Sequence, residues 1–299
     1  MQLTRRGFTL VELLVAMVLL GIVSTAVYRV LVNNQRVYLA QTQRIDLQQS
    51  IRAAATILPA EFRELDATDG DIIAMSATRL DIRAQRWVGF ACIPPVLGGA
   101  LTNVPLVVTG GAPGQPLFYG ARGINTATDR VFVYYDGNPT TRLDDTWVQG
   151  TFALAATPAA VCPGGGGPGR TINVNFGALG GRPNFNGAIP AGAPVRGFEL
   201  VTYQLYQPAG DTSWYIGLQP AGGTMQPVIG PVLPNGLSFA YFDSAGVVTA
   251  VPARVARIDI IVQARTSQQV RTSGSGLQRT LVDTLVTSVA LRNNLRPCC

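Results

Sequence analysis

Histidine is missing from this chain of 299 residues, and its absence limits the chemistry that the sequence can perform. Catalysis by a Ser-His-Asp triad or a Cys-His pair needs an imidazole, and so does a His-ligated metal site. The remaining candidates are 17 acidic side chains, 23 basic ones and four cysteines. No nucleophile and base stand in a recognisable pairing, so we expect a protein that is not an enzyme and uses no cofactor.

Oxygen-rich loops are the candidates for a metal site. One of them could hold Ca²⁺ through carboxylate and amide oxygens, and it contains Asp136, Asn138, Asp144 and Asp145. A second loop contains Asp66, Asp69 and Asp71. Neither loop has the spacing of an EF-hand, and aspartates of this kind are common in plain polar turns. We therefore predict no metal site, and the first loop is only a weak calcium candidate.

The four cysteines are Cys92, Cys162, Cys298 and Cys299. Outside the cytoplasm, cysteines tend to form disulfides, and four of them allow three connectivities. Cys92 and Cys162 lie in or beside proline-rich loops, whereas the other two stand at the chain end. We favour a Cys92–Cys162 disulfide, and the other connectivities stay open.

One acid, Glu12, interrupts the apolar segment Phe8–Val32. As a helix, this segment would be about 37 Å long, enough to cross a hydrocarbon core of roughly 30 Å. Arg5 and Arg6 precede it, and a positive flank prefers the cytoplasm, so the bulk of the chain should lie outside. An ionised acid in such a segment costs about 2.5–3.5 kcal/mol or more, so Glu12 should have a partner and a function. The alternative is a secretory signal peptide that is cut at Ser24-Thr25-Ala26.

The start of this segment resembles the prepilin signature of type IV pilins and type II secretion pseudopilins over Arg5-Arg6-Gly7-Phe8-Thr9-Leu10-Val11-Glu12-Leu13. The resemblance implies that a prepilin peptidase cuts after Gly7 and N-methylates the new terminus, Phe8. It also implies that Glu12 neutralises the Phe8 amine, often that of a neighbouring subunit. Because a buried ion pair can fix register, Glu12 would set the axial stagger of assembled helices.

The helix is expected to continue beyond the membrane. Residues 29–58 contain no glycine or proline, and their apolar side chains recur on one helical face between asparagines and glutamines. We predict an amphipathic continuation over residues 33–58, so that the helix from Phe8 to Leu58 is about 75 Å long. Pro59 is the first breaker, although a further turn over Ala60–Leu65 is compatible with the sequence.

Residues 59–299 are predicted to form a β-rich head, which makes the fold class α+β. Alternation with period two is clearest in Arg257–Arg265, where one face holds Ile258, Ile260, Val262 and Ala264. Glycine and proline are frequent, and a loop-rich excursion is expected at about residues 93–196, with Val131–Tyr135 as a strand. We expect eight to ten strands behind one long helix.

The last third of the chain closes on Val289-Ala290-Leu291-Arg292-Asn293 and resembles PilW-type minor pilins and J-type pseudopilins. The resemblance implies the type IV pilin fold and a minor subunit that helps to prime or cap a pilus. The implied partners are other pilins or pseudopilins, prepilin peptidase, an inner-membrane assembly platform and, before assembly, the lipid bilayer. The chain would cross the inner membrane once, with its head in the periplasm, and then enter a pilus or pseudopilus at the cell surface.

Two other functions stay open. A pseudopilin of a type II secretion system would carry the same signature, although 299 residues exceed the length of typical J-type pseudopilins. A tip module that binds DNA or a surface through the 93–196 excursion is the second. Aromatic side chains can stack on single-stranded DNA, and they cluster in this chain at Tyr134, Tyr135, Tyr203, Tyr206, Trp214, Tyr215, Phe239, Tyr241 and Phe242. The net charge is +6, but the sequence contains no run of five or six basic residues, so nucleic-acid binding has little support.

Overall fold

The computed structural model describes residues 9–91, 94, 96–98, 101–107, 119–120, 124–136, 140–141, 145–152, 157–161, 168–176, 189–271 and 278–292. Helix α1 comprises Leu10–Arg63, and its 54 residues span about 81 Å. Antiparallel strands follow it along the chain. One long helix packed on a β-rich head confirms the expected α+β fold class.

The described residues form sixteen strands, more than the eight to ten that the sequence predicts. Fourteen of these belong to one antiparallel sheet, and β14 and β15 form a separate hairpin. A short 3-10 helix, Pro252–Arg254, precedes β13. The strands are β1 Ile72–Met75, β2 Arg79–Phe90, β3 Val96–Gly98, β4 Leu101–Val107, β5 Tyr119–Gly120, β6 Asp129–Tyr135, β7 Thr146–Phe152, β8 Thr157–Val161, β9 Pro168–Asn175, β10 Pro194–Tyr206, β11 Trp214–Pro220, β12 Gln226–Phe242, β13 Arg257–Arg265, β14 Val270–Arg271, β15 Gln278–Arg279 and β16 Val282–Ala290.

Helix α1 passes through Pro59 and ends at Arg63, beyond the expected end at Leu58. A proline inside a helix costs about 3 kcal/mol, because it removes a backbone hydrogen bond and its ring crowds the preceding turn. Leu58 and Phe62 flank it, and both are fully buried. Burial of such a side chain contributes about 1.5–3 kcal/mol, so the two together offset the cost of the proline.

One face of α1 packs on the sheet. Its buried side chains recur at helical spacing and are Gln43, Leu47, Ala54, Leu58 and Phe62. The Phe62 ring meets the rings of Tyr203 and Phe239 edge-on, with centroids 5.5 and 5.9 Å away. Most contacts of the helix are with β16, β12 and β13, so the main core lies between α1 and this end of the sheet.

Strand β13 confirms the predicted alternation. Its inward face is fully buried and consists of Ile258, Ile260, Val262 and Ala264. The strand lies between β12 and β16, and all nine of its residues pair with β16 without a shift in register. Because β13 is flanked by two strands and covered by the helix on one face only, its apolar residues alternate with a clear period of two.

The region 93–196 contributes strands to the sheet where the sequence predicts a loop-rich excursion. Its described residues include β3–β9, and β6 covers the predicted strand Val131–Tyr135. A second core forms here around Trp87 and Ile172, both of which are buried. Prolines lower strand propensity and obscure the pattern in several of these strands. The prolines in these strands are Pro105 in β4, Pro158 in β8 and Pro168 in β9.

Ile260 and Ile261 are neighbours in β13 that face opposite sides of the sheet, with exposed fractions of 0% and 39%. We expect Ile260→Ala to lower the free energy of unfolding by about 2–5 kcal/mol, because it removes buried apolar surface and leaves a cavity. Ile261→Ala is the matched control and should cost less than about 1 kcal/mol. Urea unfolding of the detergent-solubilised chain, followed by tryptophan fluorescence, measures both. Equal effects would contradict the assigned register.

Candidate functional site

Most residues that the sequence assigns to processing lie outside the described ranges. These residues are Arg5, Arg6, Gly7 and Phe8, which precede the first described residue, Thr9. Several residues of the other predicted sites also lie outside, namely Cys92, Asn138, Asp144, Cys162, Cys298 and Cys299. The disulfide and the weak calcium candidate therefore stay predictions.

Helix α1 starts with a capping box formed by Thr9 and Glu12. Thr9 is the N-cap and has an extended backbone, with φ −80° and ψ 150°. The Glu12 N–H donates to Thr9 Oγ1 at 3.3 Å, and the Thr9 N–H donates to Glu12 Oε2 at 3.2 Å. The Thr9 hydroxyl also donates to Oε2, at 3.2 Å. The box thus occupies N–H groups that the start of a helix leaves without intrahelical partners.

Sequence reasoning identified Glu12 as functional but overlooked Thr9. The available signal was a Ser or Thr followed three residues later by Glu, directly before an apolar helix. Thr9-Leu10-Val11-Glu12 fits that pattern. Within its own chain, Glu12 has Thr9 as a hydrogen-bond partner, and its pairing with a Phe8 amine stays a prediction.

The first part of α1 is apolar and uncovered. From Leu10 to Leu31, every large apolar side chain is more than half exposed. The first buried side chain of the helix is that of Gln43. The part of the helix that precedes Gln43 is about 50 Å long at 1.5 Å per residue. The helix is long and apolar enough to cross a membrane, as the sequence predicts.

Neutral polar contacts mark the place where the head begins to cover α1. Gln43 Oε1 accepts hydrogen bonds from Ser267 Oγ at 2.9 Å and from the N–H of Gln268 at 3.0 Å. Two turns further on, the Ser50 hydroxyl donates to the carbonyl oxygen of Gly230 at 2.8 Å. Directional contacts of this kind set the rotation of the helix on the head more strictly than apolar packing does.

A buried guanidinium joins the far end of α1 to the sheet. Arg86 on β2 donates to Glu61 of the helix at 2.7 Å and to Glu199 of β10 at 3.0 Å. The Arg86 side chain is only 11% exposed. Burial alone lowers the pKa of Arg86, but Glu61 and Glu199 outweigh it, so the pKa is raised. Burial and, to a lesser degree, Glu61 also raise the pKa of the neighbouring Tyr203.

The acidic loop after α1 forms a hydrogen-bonded turn. Asp66 Oδ1 accepts from the N–H groups of Thr68 and Asp69, and Asp71 Oδ2 accepts from the Asp66 N–H. Burial raises the pKa of Asp71 to about 6, against the opposing effects of that N–H and of Arg196. Among the residues that the structure describes, no group of three His, Cys, Asp or Glu side chains is arranged to hold a metal.

The aromatic residues considered for stacking on DNA lie partly in the interior of the head. Tyr203, Phe239 and Tyr241 belong to the main core. The Phe242 ring carries the guanidinium of Arg257 on its face, 4.1 Å from the centroid. These rings have the packing role that aromatic residues usually have in sheets.

A comparison with known families matches the N-terminal part of the chain. The model described as the prokaryotic N-terminal methylation motif covers residues 3–28. That range includes both arginines, the predicted cleavage site, the capping box and much of the uncovered helix. Neither a comparison with curated proteins nor one with solved structures gave a match.

Arg86→Leu tests whether the buried ion pairs hold the helix on the head. We expect it to lower the free energy of unfolding by about 3–5 kcal/mol, because Glu61 and Glu199 lose the largely buried guanidinium that pairs with both of them. The matched control is Arg79→Leu, since Arg79 pairs with Asp81 but is 51% exposed. The control should cost at most about 1 kcal/mol. Urea unfolding of the detergent-solubilised chain measures both, and similar costs would contradict the role of Arg86.

The raised pKa of Asp71 predicts a pH-dependent stability. Protonated Asp71 contributes to the free energy of unfolding. This contribution is fully present below pH 3.8, the ordinary pKa of an aspartate, and is lost as the pH rises through about 6. A shift of this size corresponds to about 3 kcal/mol. Asp71→Asn keeps an acceptor for the Asp66 N–H and should remove this loss between pH 4 and 7.5.

Thermal unfolding across that pH range measures the effect of Asp71→Asn. Asp243→Asn is the control, because Asp243 likewise accepts from backbone N–H groups, those of Ala245 and Val247, in a separate turn. The control should keep the pH profile of the wild type. An unchanged profile in Asp71→Asn would refute the prediction.

Proposed function

We propose that this type IV pilin-like chain is a minor subunit that helps to prime or cap a type IV pilus. The observation that carries the proposal is the match to the methylation motif over residues 3–28, at the start of an uncovered apolar helix. The motif supports a pilin or a pseudopilin, whose role is structural rather than catalytic. In this proposal the chain is the substrate of an enzyme and performs no catalysis itself.

Processing is the first step of the proposed function. Prepilin peptidase cuts between Gly7 and Phe8 and methylates the new amino terminus. The leader, with Arg5 and Arg6, is then removed. Cleavage leaves Thr9 and Glu12 at the second and fifth positions of the mature chain, so the capping box stays at the start of the helix.

Assembly is the second step. Before assembly the apolar part of α1 lies in the inner membrane, where a helix satisfies its own backbone groups, and the head lies in the periplasm. The assembly platform then extracts the subunit, and the apolar surface moves from lipid to a bundle of sister helices. Apolar burial is similar in both places, so helix packing and the pairing of Glu12 with a Phe8 amine determine direction and register.

The test is deletion of the gene in its own organism, with surface pili counted by electron microscopy and secreted proteins measured in the same cultures. We expect pili to be lost and then restored by the wild-type gene but not by Gly7→Val, which blocks cleavage. Ile261→Ala is the control, because Ile261 lies in the head, outside the cleavage site and the helix that joins the bundle, and its side chain is 39% exposed. It should restore pili as well as the wild type does.

Two outcomes would contradict the proposal. Unchanged pili with lost secretion would make the chain a pseudopilin of a type II secretion system. A mature protein that starts at Val27, rather than at methylated Phe8, would show by mass spectrometry that the segment is an ordinary signal peptide.

A further inference from the structure

A recess of about 510 Å³ lies at the end of α1 that is farthest from its apolar start. Strands β2, β7 and β10 contribute to it, together with the turn that follows the helix. The described residues that line it include Asp66, Asp69, Gln85, Val88, Trp147 and Arg196. Small-molecule sites usually have volumes of about 300–1,000 Å³, so the recess is large enough for a small ligand.

Arg196 and Trp147 are held in place on the wall of the recess. The guanidinium of Arg196 lies over the Trp147 ring, 4.2 Å from its centroid, and over the Phe132 ring at 5.4 Å. The Trp147 ring also meets the rings of Phe132 and Tyr134 edge-on. The Arg196 side chain is only 13% exposed. Side chains that are fixed before a ligand arrives lose little rotamer freedom when they bind it.

The Arg196–Asp69 pair keeps hydrogen-bonding capacity on both sides. Arg196 carries five N–H donors, and among the residues that the structure describes it donates one hydrogen bond, to Asp69 Oδ2 at 3.4 Å. Burial and, to a lesser degree, Asp66 raise the pKa of Asp69, although Arg196 and Arg83 oppose them. The arginines therefore do not fully replace the water that this carboxylate has lost. A ligand that both accepts and donates hydrogen bonds would satisfy the two side chains together.

The charges around the recess balance to within one unit. Glu64 pairs with Arg292 at 3.0 Å, and Arg83 donates to the carbonyl oxygen of Asp69 at 3.0 Å. The four carboxyl groups are those of Glu64, Asp66, Asp69 and Asp71, and the three guanidiniums are those of Arg83, Arg196 and Arg292. An ion of either sign would gain little attraction from such a set, and neither would a nucleic acid. The balance favours a neutral ligand.

We propose that the recess binds a neutral saccharide through Asp69, Gln85 and Arg196, with the sugar ring packed against Trp147. A hydroxyl group both donates and accepts, so a saccharide can use a carboxylate, an amide and a guanidinium at once. The C–H groups of a sugar ring carry a slight positive charge, which the negative face of an indole attracts. Because the recess lies at the far end of α1, it stays accessible while the apolar start of the helix is in a membrane.

The test uses the full-length chain in a polyoxyethylene detergent, because sugar-based detergents would compete for the recess. The probe is an array of immobilised neutral oligosaccharides built from glucose, galactose, mannose or N-acetylglucosamine. Acidic oligosaccharides and single-stranded DNA are placed beside them. We expect binding to neutral oligosaccharides that changes little between about 50 and 500 mM salt, since a neutral ligand has no charge to screen.

Two variants and two matched controls locate the site. Asp69→Ala should weaken binding by about 10–100-fold, and Gln85→Leu by about 2–10-fold, the factors expected for a charged and a neutral hydrogen-bonding group. Asp283→Ala and Gln263→Leu are the controls, because Asp283 is exposed like Asp69, and Gln263 is half-buried in a strand like Gln85. Both controls should bind as the wild type does. Urea unfolding checks that all four variants are folded.

Three outcomes would overturn the inference. The first is that the wild-type chain binds no neutral oligosaccharide on the array. The second is that both recess variants keep wild-type binding, which would place the site elsewhere. The third is a preference for acidic oligosaccharides or DNA that falls steeply with salt, which would show that the ligand is an ion. The inference does not depend on the proposed function, whose own test is the count of surface pili.

Discussion

The uncovered apolar surface of α1 has to be shielded from water by something other than the head of the same subunit. Each large apolar side chain from Leu10 to Leu31 is more than half exposed, and full burial of one such side chain is worth about 1.5–3 kcal/mol. A helix is also the conformation that leaves no backbone group unpaired in lipid. Lipid tails and a bundle of like helices are similarly apolar, so this surface suits both, and polar groups must distinguish between them.

Polar contacts occur at both ends of that surface, and they differ in character. At the start, Thr9 and Glu12 form a capping box that contains one ionisable group. Where the head begins, Gln43 is held by neutral hydrogen bonds to Ser267 and Gln268. Neutral groups that are fully hydrogen-bonded cost little to bury, whereas a carboxylate needs a compensating cation. Burial of the helix start in an assembly would therefore require a cation near Glu12, whereas burial of the contacts at Gln43 would not.

The sequence predicts some elements of the structure well and misses others. Each element that it misses has a different physical reason. Strand β13 was predictable because one face is buried and the other is not, as Ile260 and Ile261 illustrate. Pro59 was a misleading stop signal, since burial of Leu58 and Phe62 outweighs a local rule. Among strands β3–β9, the sequence predicted only β6, because prolines and glycines obscure the pattern of the others. Thr9 was overlooked because a charge partner already explained Glu12, although the capping-box pattern was visible.

The way in which α1 lies along β16 couples the uncovered helix to the sheet. Gln43 contacts the turn after β13, close to the start of β16, whereas the Arg63 carbonyl accepts from the N–H of Arg292, just after its end. Helix and strand therefore run in the same direction and are joined near both ends of the strand. Since β16 pairs with β13 over nine residues, a pull along the helix is distributed over a whole ladder of hydrogen bonds. In the extraction step that we propose, this arrangement would let the head follow the helix as one body.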